Sequence, residues 1–373
     1  MSVLAPSADF VYGNTRLRAR KGELLAARDY EALVGGDLEG ILEKLVGTPY
    51  RPELEAALAV SGGIRALQEA LRRHLARILT EERAFYDGRA RELVDLLLSR
   101  FDLHNLLALL RGRLRGQPAE QVLVNLFPMG ALRDAAAQEI ARQAEPGRAV
   151  ELLVAWRLPD PAIARKLAEA WPEYERTEDL RTLEHTLTTQ HALHLKAELD
   201  RAGPDAEPLR ELVARERDAV NVLIVLRLRF ALQLDELSEL PSPPGAGRFL
   251  PGGRMRTQAL ETALRQPTRA EAVAKLVEAA RREDWRAPLE RIAAGGDLPT
   301  LQRELEVRRV RWAVGLFHRG DPLGVDIPIA YTVAKENEVR NLRLLGEGAT
   351  GALPAAAIRP HLIVPFGEGR WDS

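Results

Sequence analysis

Apolar residues recur along most of this chain at the helical period. Ile64, Leu67, Leu71, Leu75 and Ile78 fall at i, i+3, i+7, i+11 and i+14 with Arg and Glu between them, so one stripe faces a core and the rest faces water. The runs from Glu92 to Leu114 and from Leu209 to Leu234 behave in the same way. Strict alternation of apolar and polar residues, the mark of a half-buried strand, is scarce. The pattern predicts an all-α protein. Its strongest breaks are Pro241, Pro243, Pro244, Gly245 and Gly247, then Pro251, Gly252 and Gly253, with weaker ones at Gly116 to Pro118 and Gly203 to Pro208. Proline there removes a donor and glycine frees the backbone.

These breaks punctuate a repeat. A shift of 116 residues lays Asp102, Asn105, Arg111 and Arg113 on Asp218, Asn221, Arg227 and Arg229, with aliphatic residues matching aliphatic residues between them. A further shift of 120 brings Asp218 and Asn221 onto Glu338 and Asn341, while Glu347 and Ala349 stand where the paired arginines were. Short helical segments carrying Ile41 and Leu45, Leu152 and Trp156, and Val273 and Val277 precede the three asparagines by 64 to 69 residues. Leu126-Phe127-Pro128-Met129-Gly130 resembles Phe249-Leu250-Pro251-Gly252-Gly253 at a spacing of 123. So long a period exceeds that of solenoid repeats, and each unit is expected to be a small helical domain. The expected domains are residues 1–121, 122–245 and 246–373, arranged as a pseudo-threefold body.

At about 100° per residue, Asp102, Asn105 and Arg113 share one stripe of their helix, and Asp218, Asn221 and Arg229 form its copy. The neighbours Leu106, Leu107, Leu109 and Leu110, or Val222, Leu223, Val225 and Leu226, are apolar. The stripe is therefore a polar seam in a largely buried helix, and its groups need partners. Either each seam cross-links helices within its own domain, or the seams line a cavity and touch a partner.

Composition narrows the function. With 53 basic against 54 acidic residues and a net charge of −1, nothing marks the 373-residue chain as a nucleic-acid binder. The absence of cysteine excludes disulfides, thiolate metal sites and cysteine nucleophiles. The first ten residues lack the basic and apolar regions of a signal peptide. The longest uncharged stretch, Gln121 to Leu132, is far too short to span a membrane.

Catalytic signals are weak. Gly346-Glu347-Gly348-Ala349-Thr350-Gly351 spells G-x-G-x-x-G, but it follows a charged helix rather than a buried strand, which reads as a helix end and turn. His191 and His194 share a helix face near Glu184 and Glu198, a face read as solvated histidines rather than a metal site. No catalytic, cofactor-binding or metal-binding residue is expected, and the chain reads as a protein that docks other proteins.

Three stretches carry a family resemblance. They are Phe10-Val11-Tyr12-Gly13-Asn14-Thr15-Arg16-Leu17-Arg18-Ala19-Arg20-Lys21, the run Leu33 to Tyr50, and Ala330-Tyr331 with Ala334-Lys335-Glu336-Asn337-Glu338-Val339-Arg340-Asn341-Leu342-Arg343. With the tail Leu353-Pro354 and Ile358-Arg359 through Leu362-Ile363-Val364, the chain resembles the C subunit of archaeal and bacterial V/A-type ATPases, the relative of the eukaryotic V-ATPase d subunit. The resemblance implies a funnel-shaped protein of three similar helical domains on the cytoplasmic face of the membrane. Its implied partners are the D-like and F-like central-shaft subunits, received in a socket, and the rotating proteolipid ring. It implies no cofactor, no nucleic acid and no membrane span of its own. A free-standing helical adaptor is the alternative.

Overall fold

The computed structural model describes residues 9–132, 134–231, 247–280 and 283–365. Among the described residues no strand occurs, and every regular element is helical, as the periodicity predicts. The chain forms two compact units, one of Met1–Pro146 with Val310–Ser373 and one of Gly147–Arg309. The expected domain boundary at 245 and 246, and the breakers Pro241, Pro243, Pro244 and Gly245, lie outside the described residues.

The first unit opens with α1 (Val11–Arg20), α2 (Ala27–Leu33), α3 (Leu38–Val46), α4 (Arg51–Leu58), α5 (Gly63–Ala84), α6 (Gly88–Leu114), α7 (Ala119–Leu123) and α8 (Asp134–Ala141). The second contains α9 (Pro146–Ala155), α10 (Pro161–Thr177), α11 (Leu180–Arg201), α12 (Glu207–Ala231), α13 (Thr257–Leu264), α14 (Arg269–Ala279) and α15 (Glu283–Ala293). α16 (Leu298–Arg319) begins in the second unit and ends in the first, which α17 (Asp326–Thr350) and α18 (Ala355–Ile358) complete. Local chemistry fixes several starts. Asp37 accepts a hydrogen bond from Gly40 N (2.9 Å) ahead of α3, and Thr268 with Glu271 forms a reciprocal capping box on α14.

The stripe read from the sequence lies on α5, where Leu67, Leu71, Leu75 and Ile78 are buried. Opposite them runs α17, which is buried on nearly all sides through Ile327, Ile329, Tyr331, Val333 and Leu342 and so serves as the central helix of its unit. Glycine sets the spacing: a methyl group on Gly346 would stand 3.0 Å from Ile64 Cδ1 and collide with Leu67, and one on Gly348 would collide with Ile358. Gly346 and Gly348 are thus close-packing residues inside α17. The reading of G-x-G-x-x-G as a helix end holds only for Gly351, which follows the last residue of α17. In the second unit Val222 and Leu226 of α12 pack with Leu260, Val273, Leu276, Trp285, Leu289 and Leu305 from the four helices that follow. No described helix is long and apolar enough to cross a membrane.

Candidate functional site

The repeated seam is built on α6, α12 and α17. On α6, Asn105 is fully buried; its Nδ2 donates to the Phe127 carbonyl (2.8 Å), and Phe127 N donates back to Asn105 Oδ1 (2.8 Å). One primary amide thereby satisfies both main-chain groups of one residue, as a neighbouring strand would. That requires the N–H and C=O of Phe127 to face the same side, and the following Pro128 biases Phe127 toward the extended backbone that does this. One helical turn earlier, Asp102 Oδ1 accepts from Ala131 N (2.7 Å), and Leu132 N–H bonds the same carboxylate. Burial raises the Asp102 pKa, and these two N–H groups oppose the rise. Gly130, at φ 74°, brings the loop against Asp102, where a methyl group would stand 2.7 Å from the carboxylate carbon.

α12 repeats both sets of bonds. Asn221 Nδ2 donates to the Leu250 carbonyl (2.9 Å) and Leu250 N donates to Asn221 Oδ1 (2.8 Å). Asp218 accepts from Arg254 N and Met255 N (3.0 Å each), and a methyl group on Gly253 would collide with its carboxylate. Pro251 follows the clamped residue, as Pro128 does in the first copy.

The copy on α17 keeps the asparagine and changes the acid. Asn341 Nδ2 donates to the Ile363 carbonyl (2.7 Å), and Ile363 N donates to Asn341 Oδ1 (3.2 Å). Asn337 Nδ2 donates to the same carbonyl (2.7 Å). Glu338, one methylene longer than aspartate, reaches instead to Leu25 N (2.6 Å), to the Tyr50 hydroxyl (2.7 Å) and to Lys335 Nζ (2.6 Å). Lys335 also lies 4.6 Å from the centre of the Tyr50 ring, against which His74 stacks at 3.9 Å. Burial, with Glu338 next, pushes the phenols of Tyr30 and Tyr50 up. Burial, with Lys335 next, pushes His74 down to about 3, so this ring is neutral.

The paired arginines separate by face. Arg113 donates to the carbonyls of Gln117 (2.9 Å), Gln143 (2.5 Å) and Ala144 (3.1 Å), and Arg229 donates to that of Pro267 (2.9 Å). Arg111 and Arg227 are exposed, and Arg227 reaches Gln302 Oε1 (3.1 Å). The stripe residues thus meet loops further along the chain, and the off-stripe arginines lie at the surface. The sequence reading quotes Gly130 and Gly253 only as markers of the repeat, and Ile363, which has Val364 before its proline, only within the resemblance, and gives none of them a part in the seam.

Chemically, the arrangement saturates main-chain groups rather than exposing a reactive one. Among the described residues no cluster of three or more His, Asp or Glu is placed to hold a metal ion. The histidine face read as solvated differs from that expectation: His191 is buried, and His194 is partly buried, 3.4 Å from Asp160 and 3.8 Å from Glu198.

Comparison with known proteins agrees along nearly the whole chain. The family model described as ATP synthase (C/AC39) subunit matches residues 13–361. The V-type ATP synthase C subunit of Thermus thermophilus is 32% identical over 362 residues, covering 96% of this chain and 99% of the relative. The A-type ATP synthase C subunit of Haloferax volcanii is 27% identical over 354 residues, covering 95% and 97%. The V-type ATP synthase C subunit of Deinococcus radiodurans is 27% identical over 353 residues, covering 94% and 90%. With its all-helical fold and its recurring asparagine clamp, the chain belongs to the ATP synthase (C/AC39) subunit family, that of the C subunits of V/A-type ATP synthases.

Proposed function

We propose that this chain is the non-catalytic central-stalk socket of a rotary V/A-type ATPase. It joins the D-like and F-like central-shaft subunits to the proteolipid ring and transmits torque for coupled ATP synthesis or hydrolysis and ion transport. Its three repeats, residues 1–121, 122–245 and 246–373, are three similar helical domains in a pseudo-threefold, funnel-shaped body. It sits peripherally on the cytoplasmic side of the cell membrane, within the membrane-bound complex. The observation that carries this reading is the end-to-end likeness to the Thermus thermophilus protein, covering 96% of this chain and 99% of that one.

The physical requirement fits the fold. A part that passes torque needs stiffness and fit rather than a reacting group, and a buried amide bonded twice to one main-chain residue ties a loop rigidly to its helix. The deciding experiment mixes the purified chain with the central-shaft subunits of the same organism and follows them by analytical ultracentrifugation. A one-to-one complex is expected. A folded, helical chain that stays free at low salt would instead mark a free-standing helical adaptor.

A further inference from the structure

The first unit carries an open cleft of about 670 Å³ between the end of α4, the start of α5, the segment after α7 and the C-terminal half of α17. Its walls are mixed. Val60 and Val124 line it and remain 89% and 55% exposed, with Phe127 beside them. Four arginines line it against two glutamates, a local positive excess on a chain whose net charge is −1. Arg72 and Arg73 both pair with Glu69. Arg65 and Arg343 are exposed, and among the described residues neither has a hydrogen-bond or ion-pair partner. Burial lowers the His104 pKa, outweighing the Asn125 carbonyl 3.2 Å from its Nε2, which favours the protonated ring.

One wall of this cleft is preset. Phe127 is the residue that Asn105 grips at both main-chain groups, and Arg72, already fixed by Glu69, bonds the Leu126 carbonyl. The loop therefore presents Val124 and Phe127 without having to be ordered on binding, which removes a cost that a loose loop would add. Unneutralised guanidinium groups recognise carboxylates, and exposed valines gain from being covered by apolar groups. A small anion would satisfy the arginines and leave both valines in water. A helix or extended segment with carboxylates on one face and aliphatic residues on the other satisfies both.

We propose that this cleft seats an acidic, amphipathic segment of a partner protein in the complex, an assignment that rests on the reading of the chain as a central-stalk component. The test uses the assembled complex. A photo-crosslinking phenylalanine analogue replaces Val60, and the adduct is mapped by mass spectrometry. In parallel, Arg65→Glu and Arg343→Glu chains are titrated with the shaft subunits at low and high salt, and pyrophosphate is titrated into the unaltered chain. The expected adduct lies in a segment where Asp or Glu alternates with apolar residues. Each charge reversal weakens association on the order of tenfold at low salt and less at high salt. Unchanged affinity of both variants, or an adduct in a segment without acidic residues, overturns the proposal while leaving the central-stalk reading intact. Micromolar binding of pyrophosphate that both variants abolish, with shaft association unchanged, makes the cleft a small-anion site instead. Failure of the unaltered chain to assemble sinks the central-stalk reading and the cleft assignment with it.

Discussion

Asn105 holds Phe127 by both of its main-chain hydrogen-bonding groups, at 2.8 Å each. The same two-point grip joins Asn221 to Leu250 and Asn341 to Ile363. Because the gripped residue contributes only its backbone, its side chain is free to vary from Phe to Leu to Ile while the clamp stays. The repeat thus preserves a main-chain contact that a search for matching side chains sees from the asparagine's side only.

Replacing Asn221 with leucine keeps the branched outline of the side chain and removes both bonds. Leu250 and Asn221 are buried, and each of the two orphaned groups costs about 1–3 kcal/mol, so Asn221→Leu should destabilise by about 2–6 kcal/mol. Asn105→Leu should cost less, because Phe127 is only half-buried and water can replace the amide. Asn221→Asp keeps the acceptor for Leu250 N–H but turns a second acceptor toward the Leu250 carbonyl beside buried Asp218, so it should recover part of the loss only at acid pH, where the carboxyl is protonated and can donate. Urea unfolding followed by the helical signal checks the ranking, and equal stability of all three variants with the parent would show that the clamp stabilises nothing.

The contact between α5 and α17 gives a second test. Alanine favours a helix over glycine by about 1 kcal/mol, yet a methyl group at Gly346 meets Leu67 and Ile64, and overpacking costs about 1–3 kcal/mol. Gly346→Ala should therefore lower stability despite the better propensity. Trimming the obstacle with Leu67→Ala should shrink that penalty in a double-mutant cycle. An additive cycle would mean that the two helices simply move apart.

Much of this was legible in the sequence because it is periodic. The α5 stripe, the long helices and the three Asp-or-Glu and Asn positions all follow from spacing. What each seam grips was not legible, since the partners lie 22 or 29 residues away and are main-chain atoms that carry no residue code. Glu338 shows the limit well: it aligns with Asp102 and Asp218, but its extra methylene takes the carboxylate to Tyr50 and Leu25, far away in the chain. Gly346 and Gly348 read as turn residues because a glycine pair at a helix end and a glycine pair at a helix crossing look alike without the second helix.

Lys335 and Glu338 form a buried pair, with 3% of each side chain exposed. Removing one partner of such a pair leaves an uncompensated charge and costs about 3–5 kcal/mol, whereas replacing both with apolar residues is often near neutral. Lys335→Met should therefore destabilise the chain strongly. Lys335→Met with Glu338→Leu should recover most of that, less the share owed to the stranded Tyr50 hydroxyl and Leu25 N–H. Denaturant midpoints of the two singles and the double decide it; a double variant no better than the worse single would mean that Glu338 serves Tyr50 and Leu25 more than it serves Lys335.

Glu82 sets the pH dependence between about pH 6.5 and 8. It is fully buried, and the Thr332 hydroxyl stands 2.9 and 3.0 Å from its two oxygens. The cations near it are already engaged, Arg20 with Glu81 (2.5 Å) and Arg100 with Glu336 (2.8 Å), while Tyr331 of α17 and Tyr86 face it as neutral phenols. Burial accordingly raises the Glu82 pKa to about 8. The folded chain thus keeps this proton where the unfolded chain, with a carboxyl pKa near 4.5, has lost it. Stability falls as pH rises between those values, by up to about 1.4 kcal/mol per pH unit. His74, held neutral down to about 3, contributes the opposite slope, but only below its ordinary value of 6.5. Between pH 6.5 and 8 the two separate, and the Glu82 slope should stand alone. Glu82→Gln, which keeps an acceptor for Thr332 and cannot ionise, should flatten the curve there and overtake the parent in stability as pH 8 is approached. Unfolding free energies at half-unit steps test this, and a parent and variant with parallel profiles would place the titrating group elsewhere.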